Sequence, residues 1–119
     1  MTQENYVSFE TAKLLKEKGF DECPLFRYDD CGHLWVQGGY NKTIKWHFPA
    51  PTLQMAMKWL LKKYNIFICP LFLEESNGFG YTIENIIKKE YITTSKNSSY
   101  KEPEEACETA IKYCLENLI

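Results

Sequence analysis

The chain contains 119 residues, of which 45% are hydrophobic and 25% charged, and its formal net charge is −2. These values predict one folded domain spanning 1–119 and exclude a chain that is disordered throughout. The mild acidity excludes attraction to nucleic acid or anionic lipid through a global positive field. The longest apolar stretch, Ile66–Leu73, is too short to span a bilayer, and residues 1–5 lack the apolar run of a signal peptide. We therefore expect a cytoplasmic protein without a membrane partner.

The first half of the chain predicts a helix followed by three strands. Ser8 is placed as an N-cap and Gly19 as a left-handed stop, which predicts a helix over Phe9–Lys18. Turn residues separate three short stretches of strand character. The three predicted strands are Leu25–Tyr28, His33–Val36 and Thr43–Phe48.

The second half repeats this order. A helix is predicted to open near Thr52 and to stop at Asn65. The unbroken apolar run Ile66–Leu73 predicts a central strand buried on both faces, although Pro70 indicates a bulge or a partly unpaired edge. Two further strands and a helix are predicted after it: Phe79–Ile87, Lys89–Thr94 and 103–118.

The predicted fold class is α+β, with three helices packed on antiparallel sheet or sheets in the order αβββαβββα. The tetrapeptide Cys-Pro-Leu-Phe occurs at Cys23–Phe26 and again at Cys69–Phe72, an offset of 46 residues. This spacing suggests an internal duplication with units 6–50 and 51–100, capped by helix 103–118. Coincidence is the alternative, since amphipathic helices share Leu and Lys in any case.

Three segments of the sequence resemble a family of small uncharacterised proteins from gut Bacteroidales genomes and their prophages. They are Tyr6–Phe20, Pro51–Leu60 and Glu104–Ile119. The resemblance covers most of the chain and implies an origin in a phage or mobile element, but it implies no activity.

Residues 52–119 resemble the double-stranded RNA-binding domain in their α-β-β-β-α order. The family's last helix opens with lysines that meet phosphates, whereas this chain has glutamates there: Glu102, Glu104, Glu105 and Glu108. Acidic side chains at that helix end would repel an RNA backbone, so the resemblance implies a topology and no RNA-binding residue.

Motifs for enzyme chemistry are missing from the sequence. The spacing of Cys23, Cys31 and His33, with His47 as a fourth ligand, lacks the paired C-x2-C knuckle of a zinc site. The chain also lacks G-x-S-x-G, H-E-x-x-H and a phosphate-binding glycine loop. We predict no catalytic residue, no metal site and no cofactor. The five cysteines match no disulfide framework, and buried reduced thiols are expected.

Aromatic residues concentrate on the predicted strands and turns, and more of them are present than sheets this small can cover. We therefore predict a binding patch, whose residues are Trp35, Tyr40, Trp46, His47 and Tyr81. The competing interpretation is that these side chains belong to the core or are covered by the last helix or a second copy.

These observations favour a non-enzymatic module that binds a so far unidentified protein, such as a host factor that it regulates, and that forms a homodimer through the aromatic face. The alternative is a nucleic-acid-binding domain of double-stranded-RNA-binding topology, for which the contiguous basic face would come from lysines: Lys58, Lys62, Lys63, Lys88 and Lys89. A small-ligand or metal-dependent enzyme is the third and weakest reading.

Overall fold

A computed structural model of the chain describes residues 6–36, 38–94 and 99–119. Three helices and six strands alternate along it in the predicted order. The helices are α1 (Phe9–Glu17), α2 (Leu53–Tyr64) and α3 (Pro103–Asn117). The strands are β1 (Arg27–Tyr28), β2 (Leu34–Trp35), β3 (Phe48–Pro49), β4 (Ile66–Leu73), β5 (Gly78–Asn85) and β6 (Glu90–Thr94). The α+β prediction is confirmed.

Local signals set the helix ends. Ser8 caps α1, and its hydroxyl accepts a hydrogen bond from the Thr11 N–H. Thr52 caps α2 in the same way, and its Oγ1 accepts from the Met55 N–H at 3.1 Å. Gly19 (φ +85°) and Asn65 (φ 59°) adopt the left-handed conformation just past the ends of α1 and α2, as predicted.

The six strands form two antiparallel sheets of three strands each, with the orders β2-β1-β3 and β4-β5-β6. The first sheet has two-residue strands, and the second has strands of five to eight residues. All three helices share one core with the second sheet. Its largest fully buried side chains include Leu15, Phe20, Leu60, Ile83, Ile111 and Leu115.

Two strand predictions are wrong. Strand β4 lies at an edge of its sheet, and its side chains alternate between buried Ile66 and Ile68 and exposed Phe67. The edge position explains why Pro70 is tolerated there, because the outer side of an edge strand needs no N–H. The predicted strand Thr43–Phe48 is mostly a loop, and β3 begins only at its last residue. The sequence also predicts a polar loop over 95–100, of which 95–98 lie outside the described residues.

The two halves of the chain differ in the order of the strands within their sheets. The central strand is the first of three in the first sheet and the second of three in the second sheet. Cys23–Phe26 precedes β1, whereas Cys69–Phe72 lies inside β4. The strand order therefore gives no support to a duplication, and what the halves share is their element order.

All five cysteines are free, and Cys107 and Cys114 are buried on α3 as expected. Burial raises the pKa of the Cys114 thiol to about 12, which keeps it protonated. Cys23 and Cys31 are exposed instead, so the expectation of burial is wrong for these two. Within the described ranges, none of the helices is long and apolar enough to cross a membrane.

Glu108 of α3 fastens the start of α1. Its Oε1 accepts from the Ser8 N–H at 3.0 Å, and its Oε2 accepts from the hydroxyls of Ser8 and of buried Thr11. A carboxylate at a helix N-terminus is also favoured by the helix dipole. This contact joins the two ends of the chain.

Replacing Glu108 with Ala removes these acceptors, and we expect the free energy of unfolding to fall by about 1–2 kcal/mol, the range for hydrogen bonds to a charged group. Urea denaturation measures the loss. Glu116→Ala, an exposed glutamate on the same helix, is the matched control and should leave stability unchanged. Equal stability of the two variants would show that the Glu108 contact does not hold α1.

Candidate functional site

The two faces of the first sheet have different surroundings. Side chains alternate along a strand, so Tyr28 and Phe48, paired across β1 and β3, share one face, while Arg27 and Trp35, paired across β1 and β2, share the other. The Phe9 ring of α1 packs against the first face, 5.6 Å from the ring centre of Tyr28 and 5.5 Å from that of Phe48. Helix α1 therefore covers one face only.

The second face carries an arginine held against two tryptophans. The guanidinium carbon of Arg27 lies 4.9 Å from the ring centre of Trp35 and 5.6 Å from that of Trp46. Both distances are within the range of a cation–π interaction. Arg27 is only 9% exposed, whereas Trp35 is 48% and Trp46 51% exposed. We call these three residues the Trp–Arg–Trp cluster.

Two of the three guanidinium nitrogens of Arg27 lack polar partners among the described residues. Its Nε and Nη1 atoms are enclosed without a hydrogen-bond acceptor, and no carboxylate forms an ion pair with it in the described part of the chain. Burial of a charged group is costly unless acceptors replace the water that it loses. The two indole rings offset only part of that cost, because a cation–π contact contributes about 0.5–2 kcal/mol.

Asp29 fixes the position of Trp35. The indole Nε1–H of Trp35 donates to Oδ2 of Asp29 at 2.9 Å, and the backbone N–H groups of Cys31 and His33 donate to Oδ1. These hydrogen bonds, that of Trp35 first, lower the pKa of the Asp29 carboxyl to about 2. Asp29 therefore stays ionised at any physiological pH and keeps its hold on the ring.

Lys16 of α1 fixes the loop that carries Trp46. Its Nζ donates to three backbone carbonyls of this loop, those of Ile44 at 2.7 Å, Lys45 at 3.0 Å and His47 at 2.6 Å. Burial lowers the pKa of the Lys16 ammonium from its ordinary value. All three N–H groups of the ammonium are thus used within the fold, and Lys16 has none left for a ligand.

The imidazole of His47 packs against the indole of Trp46. The two rings meet edge to face at 4.6 Å, and His47 Nδ1 accepts a hydrogen bond from the Asn41 N–H at 3.2 Å. Burial and, after it, the nearby charges of Arg27 and Lys16 lower the pKa of His47. The imidazole is consequently neutral at physiological pH, which avoids a further positive charge beside Arg27.

The predicted aromatic patch forms only in part. Trp35 and Trp46 are exposed and brought together, as predicted. The remaining three side chains are buried, Tyr40 at 8%, His47 at 6% and Tyr81 at 7% exposure. Tyr81 lies on β5 of the other sheet, where it packs in the core and stacks on Tyr100. The five residues therefore do not make one exposed patch, and a binding role for the two tryptophans stays a prediction.

Sequence reasoning missed Arg27. It is the single arginine among the 14 Lys and Arg residues, and that rarity was the one available signal. Its burial between two tryptophans depends on the pairing of β1 with β2 and on a loop conformation, neither of which the sequence pattern reveals.

The residues weighed as zinc ligands do not assemble. His47 is buried and its Nδ1 is already used, whereas Cys23 and Cys31 are exposed. Within the described residues, the grouping of three such ligand atoms that does occur consists of Asp29, Asp30 and Cys31. Asp29 accepts three hydrogen bonds within the hairpin, so this grouping is a turn built around a structural carboxylate.

Comparison of the chain with protein-family models, with curated proteins and with solved structures finds no match. The site is therefore interpreted from its own geometry.

Replacing Lys16 with Met removes the three hydrogen bonds to the loop while keeping an unbranched apolar stem. We expect the free energy of unfolding to fall by about 2 kcal/mol and the fluorescence of Trp46 to shift toward that of a fully solvated indole. Lys18→Met, at the C-cap of the same helix, is the control. Unchanged fluorescence in Lys16→Met would mean that the loop holds Trp46 without the ammonium.

Variants of Arg27 separate a structural role from a binding role. Arg27→Met keeps the stem between the indoles and removes a buried charge without acceptors, so its free energy of unfolding should equal or exceed that of the wild type. Arg27→Lys keeps the charge on a more strongly hydrated group that stacks poorly, and it should be less stable by about 1–2 kcal/mol. Thermal and urea denaturation measure both. A large loss of stability in Arg27→Met would make Arg27 a structural residue.

Proposed function

We propose that this protein is a non-enzymatic module that binds another protein through the surface around Trp35 and Trp46. The observation that carries the proposal is the Trp–Arg–Trp cluster, in which two half-exposed indoles lie against a buried arginine without acceptors. Tryptophan and arginine are the residues most enriched among those that dominate the binding energy of protein interfaces.

The neighbouring surface supports the proposal. Val36 directly follows β2 and is 60% exposed, and Leu34, which lies on the opposite face of β2 from Trp35, is 42% exposed. Strand β2 lies at the edge of its sheet, and in the described part of the chain its outer side pairs with no strand. The free edge offers backbone groups to which an extended segment of a partner can add as a strand.

The rigidity of the two indoles is the second support. Trp35 is fixed by Asp29, and the loop of Trp46 is fixed by Lys16. Side chains that are ordered before binding lose little conformational entropy on binding, so more of the contact energy appears as affinity.

The proposed setting is the cytoplasm, where five free thiols are stable. Regulation of a host factor, by a protein of phage or mobile-element origin, is the role that we propose for the binding. A second copy of this chain could occupy the same surface, and a symmetric dimer would then place two Trp–Arg–Trp clusters around one axis.

A nucleic-acid-binding domain is the second candidate, favoured by the topology of 53–117. Helices α2 and α3 share a core with one face of β4-β5-β6, in the element order of a double-stranded RNA-binding domain. The charge at the start of α3 argues against it. A cleft of about 400 Å³ there is lined by Tyr6, Leu53, Tyr100, Thr109 and four glutamates, Glu102, Glu104, Glu105 and Glu108. This negative charge would repel phosphates.

Affinity capture with matched variants tests the proposal. The tagged protein is incubated with a lysate of a Bacteroidales gut bacterium, with and without nuclease, and washed at low and high salt. We expect a stoichiometric protein that survives both treatments and is lost with Trp35→Ala and with Trp46→Ala. Tyr91→Ala, which removes a more exposed aromatic ring from the other sheet, is the control and should retain it.

The alternatives give different results. Capture of nucleic acid that is lost on nuclease treatment or at high salt would support the second candidate. Retention of the same protein by Trp35→Ala and Trp46→Ala would place the interface elsewhere on the chain. Light scattering of the purified protein distinguishes self-association, since a dimer through this surface should dissociate in the tryptophan variants and persist in Tyr91→Ala.

A further inference from the structure

We propose that the Trp–Arg–Trp cluster is a receptor for one carboxylate, carried by an apolar segment of the partner protein, with Arg27 as the hydrogen-bond donor. The inference rests on the proposed function and adds to it the chemistry of the partner. Its starting point is the incomplete hydrogen bonding of Arg27.

Among the described residues, no group supplies a hydrogen-bond acceptor to Nε or Nη1 of Arg27. Asp29 is the acidic residue that the hairpin places next to Trp35, but both of its oxygens are engaged, one by two backbone N–H groups and the other by the indole of Trp35. The nearest cationic neighbour of the loop, Lys16, is likewise saturated by three carbonyls. Among the described residues, Arg27 is therefore the charged group of this site that still lacks acceptors.

The guanidinium is prepared for a planar anion. The indoles of Trp35 and Trp46 lie against it, and its Nε and Nη1 donors have no acceptor among the described residues. A carboxylate forms strong, charge-assisted hydrogen bonds with the N–H groups of a guanidinium. The low polarity of the two rings strengthens such a pair, because less water competes for it.

The charge of the site favours a carboxylate over a phosphate. A phosphate monoester carries up to two negative charges and is typically bound by several cations. The cluster itself contributes one cation, since Nζ of Lys16 is already satisfied, and the ionised Asp29 stands beside Trp35. A single negative charge is the better match.

The residues around the cluster define the rest of the ligand. The exposed parts of the Trp35 and Trp46 rings offer apolar contacts to a ligand. The open edge of β2 offers backbone groups to an extended chain. We therefore infer an extended segment in which an Asp or Glu is flanked by apolar or aromatic residues.

Selection from a displayed library of random dodecapeptides tests the inference on the intact protein. Peptides are selected on the wild type and counter-selected on the Trp35→Ala and Trp46→Ala variants. We expect the enriched sequences to share one Asp or Glu between apolar residues.

A double-mutant cycle on the tightest synthetic peptide then tests the contact itself. Changing its acidic residue to the matching amide should weaken binding to the wild type about tenfold, which corresponds to ~1.4 kcal/mol. The same change should have little effect on binding to Arg27→Met. Equal weakening on both proteins would contradict the carboxylate contact.

The single arginine gives a direct readout that needs no variant. A ¹⁵N-labelled sample has one arginine Nε–H signal, that of Arg27. Addition of the acidic peptide should shift this signal together with the indole N–H signals of Trp35 and Trp46, whereas the amide peptide should move it much less. An unmoved Arg27 signal during binding of the acidic peptide would overturn the inference.

The outcomes separate the two proposals. Enriched peptides that depend on the tryptophans but lack a common carboxylate would overturn the inference and leave the protein-binding proposal standing. Failure to enrich any peptide that depends on the tryptophans would count against both. A requirement for phosphoserine in place of Asp or Glu, tested with synthetic peptides, would replace carboxylate by phosphate as the ligand.

Discussion

The packing of α1 between the first sheet and α3 is the constraint on which the rest of the structure depends. Two-residue strands have too few hydrogen bonds and too little apolar area to be stable alone. Helix α1 supplies what they lack, since Leu15 lies in the shared core while Phe9 packs on the first sheet and Lys16 holds its last loop. Glu108 in turn fastens α1 to α3. The surface around Trp35 and Trp46 is thus supported, through α1 and α3, by the core of the larger sheet although it lies outside that sheet.

Different residues of the candidate site contribute to folding and to the proposed binding. The residues that hold the site, Asp29 and Lys16, have saturated hydrogen bonds and belong to folding. Arg27 has a buried charge without acceptors, a state that opposes folding and that folding alone does not explain. Proteins commonly accept such local instability where binding needs it, because the partner supplies the missing acceptor.

The sequence predicted the helices of the fold well and its small sheet poorly. Ser8, Thr52 and Asn65 act through local backbone preferences, so the ends of α1 and α2 could be located without tertiary information. The exposure of one face of β4 could not be predicted, because the sequence pattern does not reveal which strand lies at the edge of a sheet. Residues 43–47 alternate like a strand, but the Lys16 ammonium takes three of their carbonyls and holds them as a loop. In the candidate site, the exposure of Trp35 and Trp46 was expected, whereas the position of Arg27 against their rings was not.

The difference between the two sheets explains why the site forms where it does. The second sheet has long strands that bury Ile66, Ile68, Ile83 and Tyr81 against two helices, and it leaves Phe72 and Tyr91 exposed. The first sheet is too small to bury all of its aromatic residues, and one face already receives Phe9. Trp35 and Trp46 are left on the other face, where both rings lie against Arg27. A surface that the fold cannot cover by itself, fixed in place by charges that the fold has fully satisfied, is the physical basis for a binding role.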